Sequence, residues 1–166
     1  MFFRVTRHNP KSKGLIPMSS SINLYTLKQH RISSFRYDLD LQITNPQTCH
    51  HLLDLLLDLK HEPVEKFGIL SLNTKHKITG LHILGQGSLK SVIVEPREVF
   101  KAAMINNAFA IIAFHNHPSG CSEPSAWDIA ITRRLKDVGE ILNIRLIDHL
   151  IIGEGEYVSL KERRLM

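Results

Sequence analysis

Cysteine is scarce: Cys49 and Cys121 are the only two in 166 residues. Two thiols in a chain this long do not build a disulfide framework, and they fit a reducing compartment. No apolar run approaches the roughly eighteen residues a membrane span needs, so no membrane partner is expected. The opening MFFRVTRHNPKSKGLIPMSS is basic, but it has no long apolar centre and no small-residue cleavage site. It does not read as a signal peptide, and a cytoplasmic location is expected. Acids are missing from residues 1–37, where seven bases stand: Arg4, Arg7, Lys11, Lys13, Lys28, Arg31 and Arg36. The other 129 residues hold 14 of the 21 bases and all 16 acids, a balance of −2. The net charge of +5 therefore belongs to an N-terminal arm. Such an arm can touch phosphates, so nucleic acid is a candidate partner; the plainer reading is a solvated leader.

What is present suits one globular domain. Hydrophobic residues make up 43% and charged residues 22%, outside the disordered regime. Residues 1–42 read as the arm, with a possible short hairpin in SINLYTLKQHRI and FRYDLDLQI. Asn45-Pro46 punctuates the chain. HHLLDLLLDLKH then places leucines at helical spacing, with an end expected near Pro63. KFGILSL (66–72) reads as a strand, NTKH as a turn and KITGLHIL (77–84) as the antiparallel partner. KSVIV (90–94) reads as a third strand, and a helix is expected from Pro96 to Asn107. AFAIIAFH (108–115) is continuously apolar, as in a central buried strand. A helix is expected from near Ser122, then strands over 144–153 and 157–160. Several adjacent strands are joined by tight turns, which predicts an α+β or α/β sandwich on a mixed sheet, not a doubly wound parallel fold.

The stretch FHNHPSGCSEPSAWD (114–128) carries the chemistry. Side chains two apart on a strand share a face, so His115 and His117 can reach one point. Pro118-Ser119-Gly120 turns the chain away. Asp128, in the first two turns of the following helix, can fold back over the strand end. Two imidazoles and a carboxylate make an N,N,O set, and catalytic zinc sites commonly use three protein ligands with a fourth position left for water. Such a site needs a general base, for which Glu65, Glu95, Glu98 and Glu123 are candidates. Glu65 stands out because an acid opening a core strand is unexpected; Glu123 is explained by a helix start. Ser125, one turn before Asp128, can donate a hydroxyl to an oxyanion. Blander readings stand beside these. The histidines can simply end a strand at the surface, Asp128 can be a helix N-terminal charge, and Ser125 can be a cap.

The pattern H-x-H-P-x6-S-x-x-D, here His115, His117, Pro118, Ser125 and Asp128, resembles the JAMM motif of the MPN domain of zinc metallopeptidases. The longer string AFHNHPSGCSEPSAWDIAIT with DHLIIG resembles more narrowly the bacterial RadC family, over roughly residues 43–166. The resemblance implies a cytidine-deaminase-like MPN fold, with a mixed β-sheet flanked by helices. It implies one zinc ion held by His115, His117 and Asp128. It also implies a glutamate ahead of a strand of the type E-x-x-G-hydrophobic, matched by Glu65-Lys66-Phe67-Gly68-Ile69. Ser125 falls at the position that stabilises the tetrahedral intermediate. Longer members carry an N-terminal helix-hairpin-helix region; the residues before the match show no such module, so a short member is expected.

The expected function is zinc-dependent hydrolysis of peptide or isopeptide bonds in a peptide or protein substrate. Two other classes compete: a nucleic-acid-associated module working through the arm, connected with DNA repair, and a non-catalytic scaffold with an intact site. Asp148 and His149 are neighbours on a strand and face opposite ways, so only one can support the site. Asn116, facing away from the ligands, is expected to fix the local backbone. His50, His51, His61, His76 and His82 have no matched spacing. Trp127 is expected to pack, with a substrate groove as its alternative, and Cys121 to be an incidental thiol.

Overall fold

The computed structural model describes residues 26, 30–34, 42–87 and 93–166. Most of the basic arm and its possible hairpin lie outside these residues, as do Lys90–Val92 of the third expected strand. Ile93 and Val94 are described and are not in a strand. Ile93 points to solvent and Val94 tucks into the core as the chain turns into the next helix, so that strand is corrected to a loop at its described end.

The first helix, α1 (Pro46–Leu57), begins where Asn45 accepts the Thr48 N–H at 2.8 Å and Pro46 takes the first helical position. It stops at Asp58, whose left-handed φ of 47° breaks the helical run before Pro63 is reached. A single 3-10 turn, Leu59–His61, follows. Strands β1 (Lys66–Leu72) and β2 (Ile78–Gln86) form the expected antiparallel pair. Helix α2 (Pro96–Ile105) again starts on proline. Strand β3 (Ala110–Asn116) is buried at every position. Helix α3 (Ala126–Leu142) connects it to β4 (Arg145–Ile152), and β5 (Tyr157–Ser159) closes the sheet.

The sheet order is β2-β1-β3-β4-β5, with β3 and β4 parallel and every other pair antiparallel. β3 is the middle strand, which explains its uninterrupted apolar run. Alternating residues feed two cores. Phe67, Ile69, Ile111 and Ala113 pack with residues of α2 and α3. Leu70, Leu72, Ile112, Phe114 and Leu150 pack with residues of α1. The mixed α+β architecture is the one expected.

Gly68 explains part of the E-x-x-G pattern. A Cβ there would sit 2.4 Å from the Phe114 ring and 2.5 Å from the His82 carbonyl oxygen. Chain crowds it from both neighbouring strands, so Gly68→Ala should destabilise the domain by about 1–3 kcal/mol or more, as overpacking does. A urea titration checks this; an unchanged midpoint would show that the strands part freely.

The two cysteines differ sharply. Burial pushes the Cys49 thiol up to about 12, with the nearby Asp148 charge adding to the effect. Cys121 is exposed. Only a thiolate is nucleophilic, so at pH 8 the native protein should consume one equivalent of a chromogenic disulfide reagent rapidly and a second only after denaturation. Rapid reaction of both thiols would contradict the packing of α1 against the sheet.

Candidate metal centre

The site assembles at the end of β3. His115 lies on the strand and His117 just beyond it, and the spacing of two turns both imidazoles to one side. α3 supplies Asp128. Its helix begins three residues later than expected, with Ser125 rather than Ser122 as the cap, so Asp128 lies in the first turn. Ser125 and Asp128 form a capping box. The Asp128 N–H donates to Ser125 Oγ at 3.2 Å, and the Ser125 N–H donates to Asp128 Oδ2 at 2.7 Å. The capping readings of both residues therefore hold, and they serve the site: the box aims the Asp128 carboxylate at the histidines.

The contacts are close. His115 Nε2 lies 3.1 Å from Asp128 Oδ1 and 3.1 Å from His117 Nε2, and His117 Nε2 lies 3.5 Å from Asp128 Oδ2. Among the described residues these three form the one group able to hold an ion, with ligand atoms within 4.8 Å of one another. Atoms bonded at 2.0–2.1 Å to a tetrahedral centre stand about 3.3–3.4 Å apart. The three contacts, which reach both carboxylate oxygens of Asp128, bracket that value.

Hydrogen bonds assign the ring protons. His117 Nδ1 lies 2.7 Å from the Cys121 carbonyl, which only accepts, so Nδ1 carries the proton and Nε2 presents a lone pair. His115 Nδ1 lies 2.8 Å from His149 Nε2, and His149 Nδ1 lies 2.6 Å from Thr132 Oγ1. The Thr132 hydroxyl donates to the Asp128 backbone carbonyl at 2.5 Å, so it accepts from His149 Nδ1–H. His149 Nε2 must then accept from His115 Nδ1–H. Burial, reinforced by the neighbouring His115, holds His149 well below the ordinary histidine range, so it stays neutral. In the neutral His115 ring that tautomer leaves the lone pair on Nε2. Two nitrogen lone pairs and a carboxylate converge with no proton of their own between them.

That convergence is costly without a cation. Burial opposes ionisation of Asp128, yet its close contacts with His115 and His117 and the bond from the Ser125 N–H outweigh it and hold the carboxyl far below the usual range. The Asp128 contact raises His117 despite its partial burial, with smaller contributions from the Cys121 carbonyl and the Asp128 and Glu65 charges. The N,N,O donor set fits zinc and also suits other first-row divalent ions.

Glu65 is buried immediately before β1. The β1–β3 ladder ends at the pair Phe67 and His115; Glu65 stands two residues before that pair and His117 two residues beyond it, on adjoining chain segments. Asn116 pins this segment from the other side. Its Oδ1 accepts the Lys66 N–H at 2.8 Å, and its Nδ2 donates to the Val64 carbonyl at 3.2 Å. The Glu65 charge reaches His117, but its carboxylate is outside the three-residue ligand group. The other candidate acids are engaged elsewhere. Glu98 pairs with Lys101, Glu95 is the exposed N-cap of α2, and Arg163 holds Glu123 through two bonds of 2.9 and 2.7 Å. Glu123 is thus not a helix cap, because the helix starts after it.

Asp148 and His149 divide as their alternation requires. His149 faces the site, while Asp148 faces the α1 side and accepts from Ser159 Oγ at 2.7 Å. Trp127 is 44% exposed beside Asp128 and is not a core residue. Thr132 and the Cys121 carbonyl were not legible as functional. Thr132 lies four residues after Asp128, on the same helix face, and that spacing was the available signal. A backbone carbonyl leaves no signal in residue type.

A family model described as RadC-like JAB domain matches residues 43–165. A UPF0758 protein of Desulfitobacterium hafniense is 46% identical over 124 residues, 75% of this chain and 54% of the relative. One from Moorella thermoacetica is 48% identical over 124 residues, with 75% and 53% covered. One from Pseudomonas syringae is 41% identical over 139 residues, with 84% and 60% covered. The chain thus spans little more than half the length of these curated relatives.

Proposed function

The chain belongs to the RadC-like JAB domain family, and from that membership we propose that it is a zinc-dependent hydrolase of peptide or isopeptide bonds. Domains of this type are often metallohydrolases. The observation that carries the reading is the meeting of two imidazole Nε2 atoms, 3.1 Å apart, with the two oxygens of one carboxylate at 3.1 and 3.5 Å. A zinc ion bound there would supply Lewis acidity, polarising a scissile carbonyl and lowering the pKa of water to about 7.

The chain's own groups account for the rest. His115, His117 and Asp128 hold the ion and are themselves held by hydrogen bonds, so little reorganises during reaction. The Glu65 carboxylate takes a proton from the attacking water and returns it to the leaving nitrogen. Its charge reaches His117, and Asn116 braces the backbone on either side of it, which suits that shuttle. Ser125 is exposed; its Oγ accepts from the Asp128 N–H, and its own proton has no acceptor among the described residues. That hydroxyl donates to the developing oxyanion. The convergence of His115, His117 and Asp128 favours a working site over an idle scaffold.

Incubating the protein with a peptide library and with isopeptide-linked protein substrates tests the reading. Cleavage that stops with a zinc chelator and returns with added zinc is the expected result. Cleavage indifferent to chelation would count against it.

A further inference from the structure

His117 and His115 owe their orientation to different kinds of partner. His117 leans on a backbone carbonyl, which no substitution deletes. His115 leans on a side chain, His149, which has no exposed surface. His149 pairs in register with Ala113, two residues before His115, and the small alanine leaves room on that face. Phe67 meets the His149 ring edge-on at 5.7 Å and stacks near His115 at 6.5 Å. Beyond His149 stands Thr132, also fully buried, whose hydroxyl reaches the backbone carbonyl of Asp128. A continuous run of hydrogen bonds therefore leads from one ligand's ring to another ligand's main chain, through β4 and α3.

We infer that His149 and Thr132 form a positioning pair, which fixes His115 with its proton on Nδ1 and locks the ligand-bearing strand to the ligand-bearing helix. The inference rests on the zinc reading for its consequence, but not for its geometry. His149 is outside the group of ligand atoms, so it is a positioning residue and not a ligand. An apolar filler at 149 would keep the packing and leave the His115 Nδ1–H without an acceptor. The His115 ring could then turn its proton to Nε2, where it blocks the lone pair. Groups that orient a metal-ligating histidine typically change metal affinity by about 10–100-fold when removed.

The test has two readouts. Long-range 1H–15N correlation spectra of the zinc-free protein report which ring nitrogen of each histidine carries the proton. Chelator competition reports zinc affinity per folded molecule. In the parent protein His115 should be the Nδ1–H form. His149→Phe should shift it toward Nε2–H and weaken zinc binding by about 10–100-fold. His149→Gln, whose amide can both accept from His115 and donate to Thr132, should restore much of both. Thr132→Val should weaken zinc binding in the same direction, and its effect should largely vanish on a His149→Phe background. If His149→Phe does not fold, Thr132→Val and His149→Gln carry the test. A merely structural role would lower the melting temperature while leaving the tautomer and the affinity unchanged, and that result would overturn the inference. A parent protein that takes up no zinc would defeat the hydrolase reading alone, because the tautomer measurement judges the pair without metal.

Discussion

Replacing Glu65 with glutamine is expected to lower turnover of a cleaved peptide or isopeptide substrate by about 10²–10⁴-fold, the usual contribution of a positioned general base. The same substitution should leave zinc content and folding nearly intact. Glutamine has the same shape and can still use the backbone bracket that Asn116 builds around Val64 and Lys66. It cannot take a proton at neutral pH. Glu65 is outside the ligand group, so the ion's hold should not weaken. Parallel measurement of turnover and bound zinc in Glu65→Gln separates the two roles. Loss of zinc together with activity would move Glu65 into the ligand set. Full activity would remove it from the mechanism.

The second large effect concerns Asp128, which has two duties. As the N3 residue of α3 it accepts from the Ser125 N–H; as a carboxylate it completes the donor set. Asp128→Asn separates them. The amide oxygen can still accept from the Ser125 N–H, and the amide N–H can donate to a histidine Nε2 lone pair. The helix should therefore lose little, whereas Asp128→Ala should cost on the order of 1 kcal/mol from the lost cap alone. Zinc affinity should fall in both by more than about 100-fold, beyond the range of substitutions that act only through a ligand's neighbours. Chelator competition alongside thermal melts checks this. An Asp128→Asn protein that keeps its zinc affinity would show that the carboxylate only caps the helix.

Much of the fold was legible because its elements follow simple periodicities. β1 ran over 66–72 as read, since an apolar run between Glu65 and Asn73 has no other place in a buried sheet. β3 was recognisable as central because every residue from Ala110 to Phe114 is apolar. The boundaries that moved did so for local reasons. α1 ended at Asp58 through a left-handed backbone, which residue type signals weakly. α3 began at Ser125, where the capping box with Asp128 forms. Ser122 instead binds Glu156 at 2.8 Å, a pairing across 34 residues that local reasoning does not reach.

The site divides in the same way. His115, His117 and Asp128 share a short stretch, so strand and helix spacing alone brings them together. Glu65 lies fifty residues upstream of His115, and only the β1–β3 pairing brings its chain segment alongside. The links from His115 through His149 and Thr132 to Asp128 join three elements, and their meaning appears only when donors and acceptors are followed in space.

The central claim is that His115, His117 and Asp128 hold one divalent ion. Elemental analysis of the protein after equilibrium dialysis against buffered zinc tests it most directly, with His117→Ala beside the parent. One zinc ion per chain in the parent, lost in His117→Ala, is the result this account predicts. Zinc far below one per chain in the parent, or equal in both proteins, would contradict it.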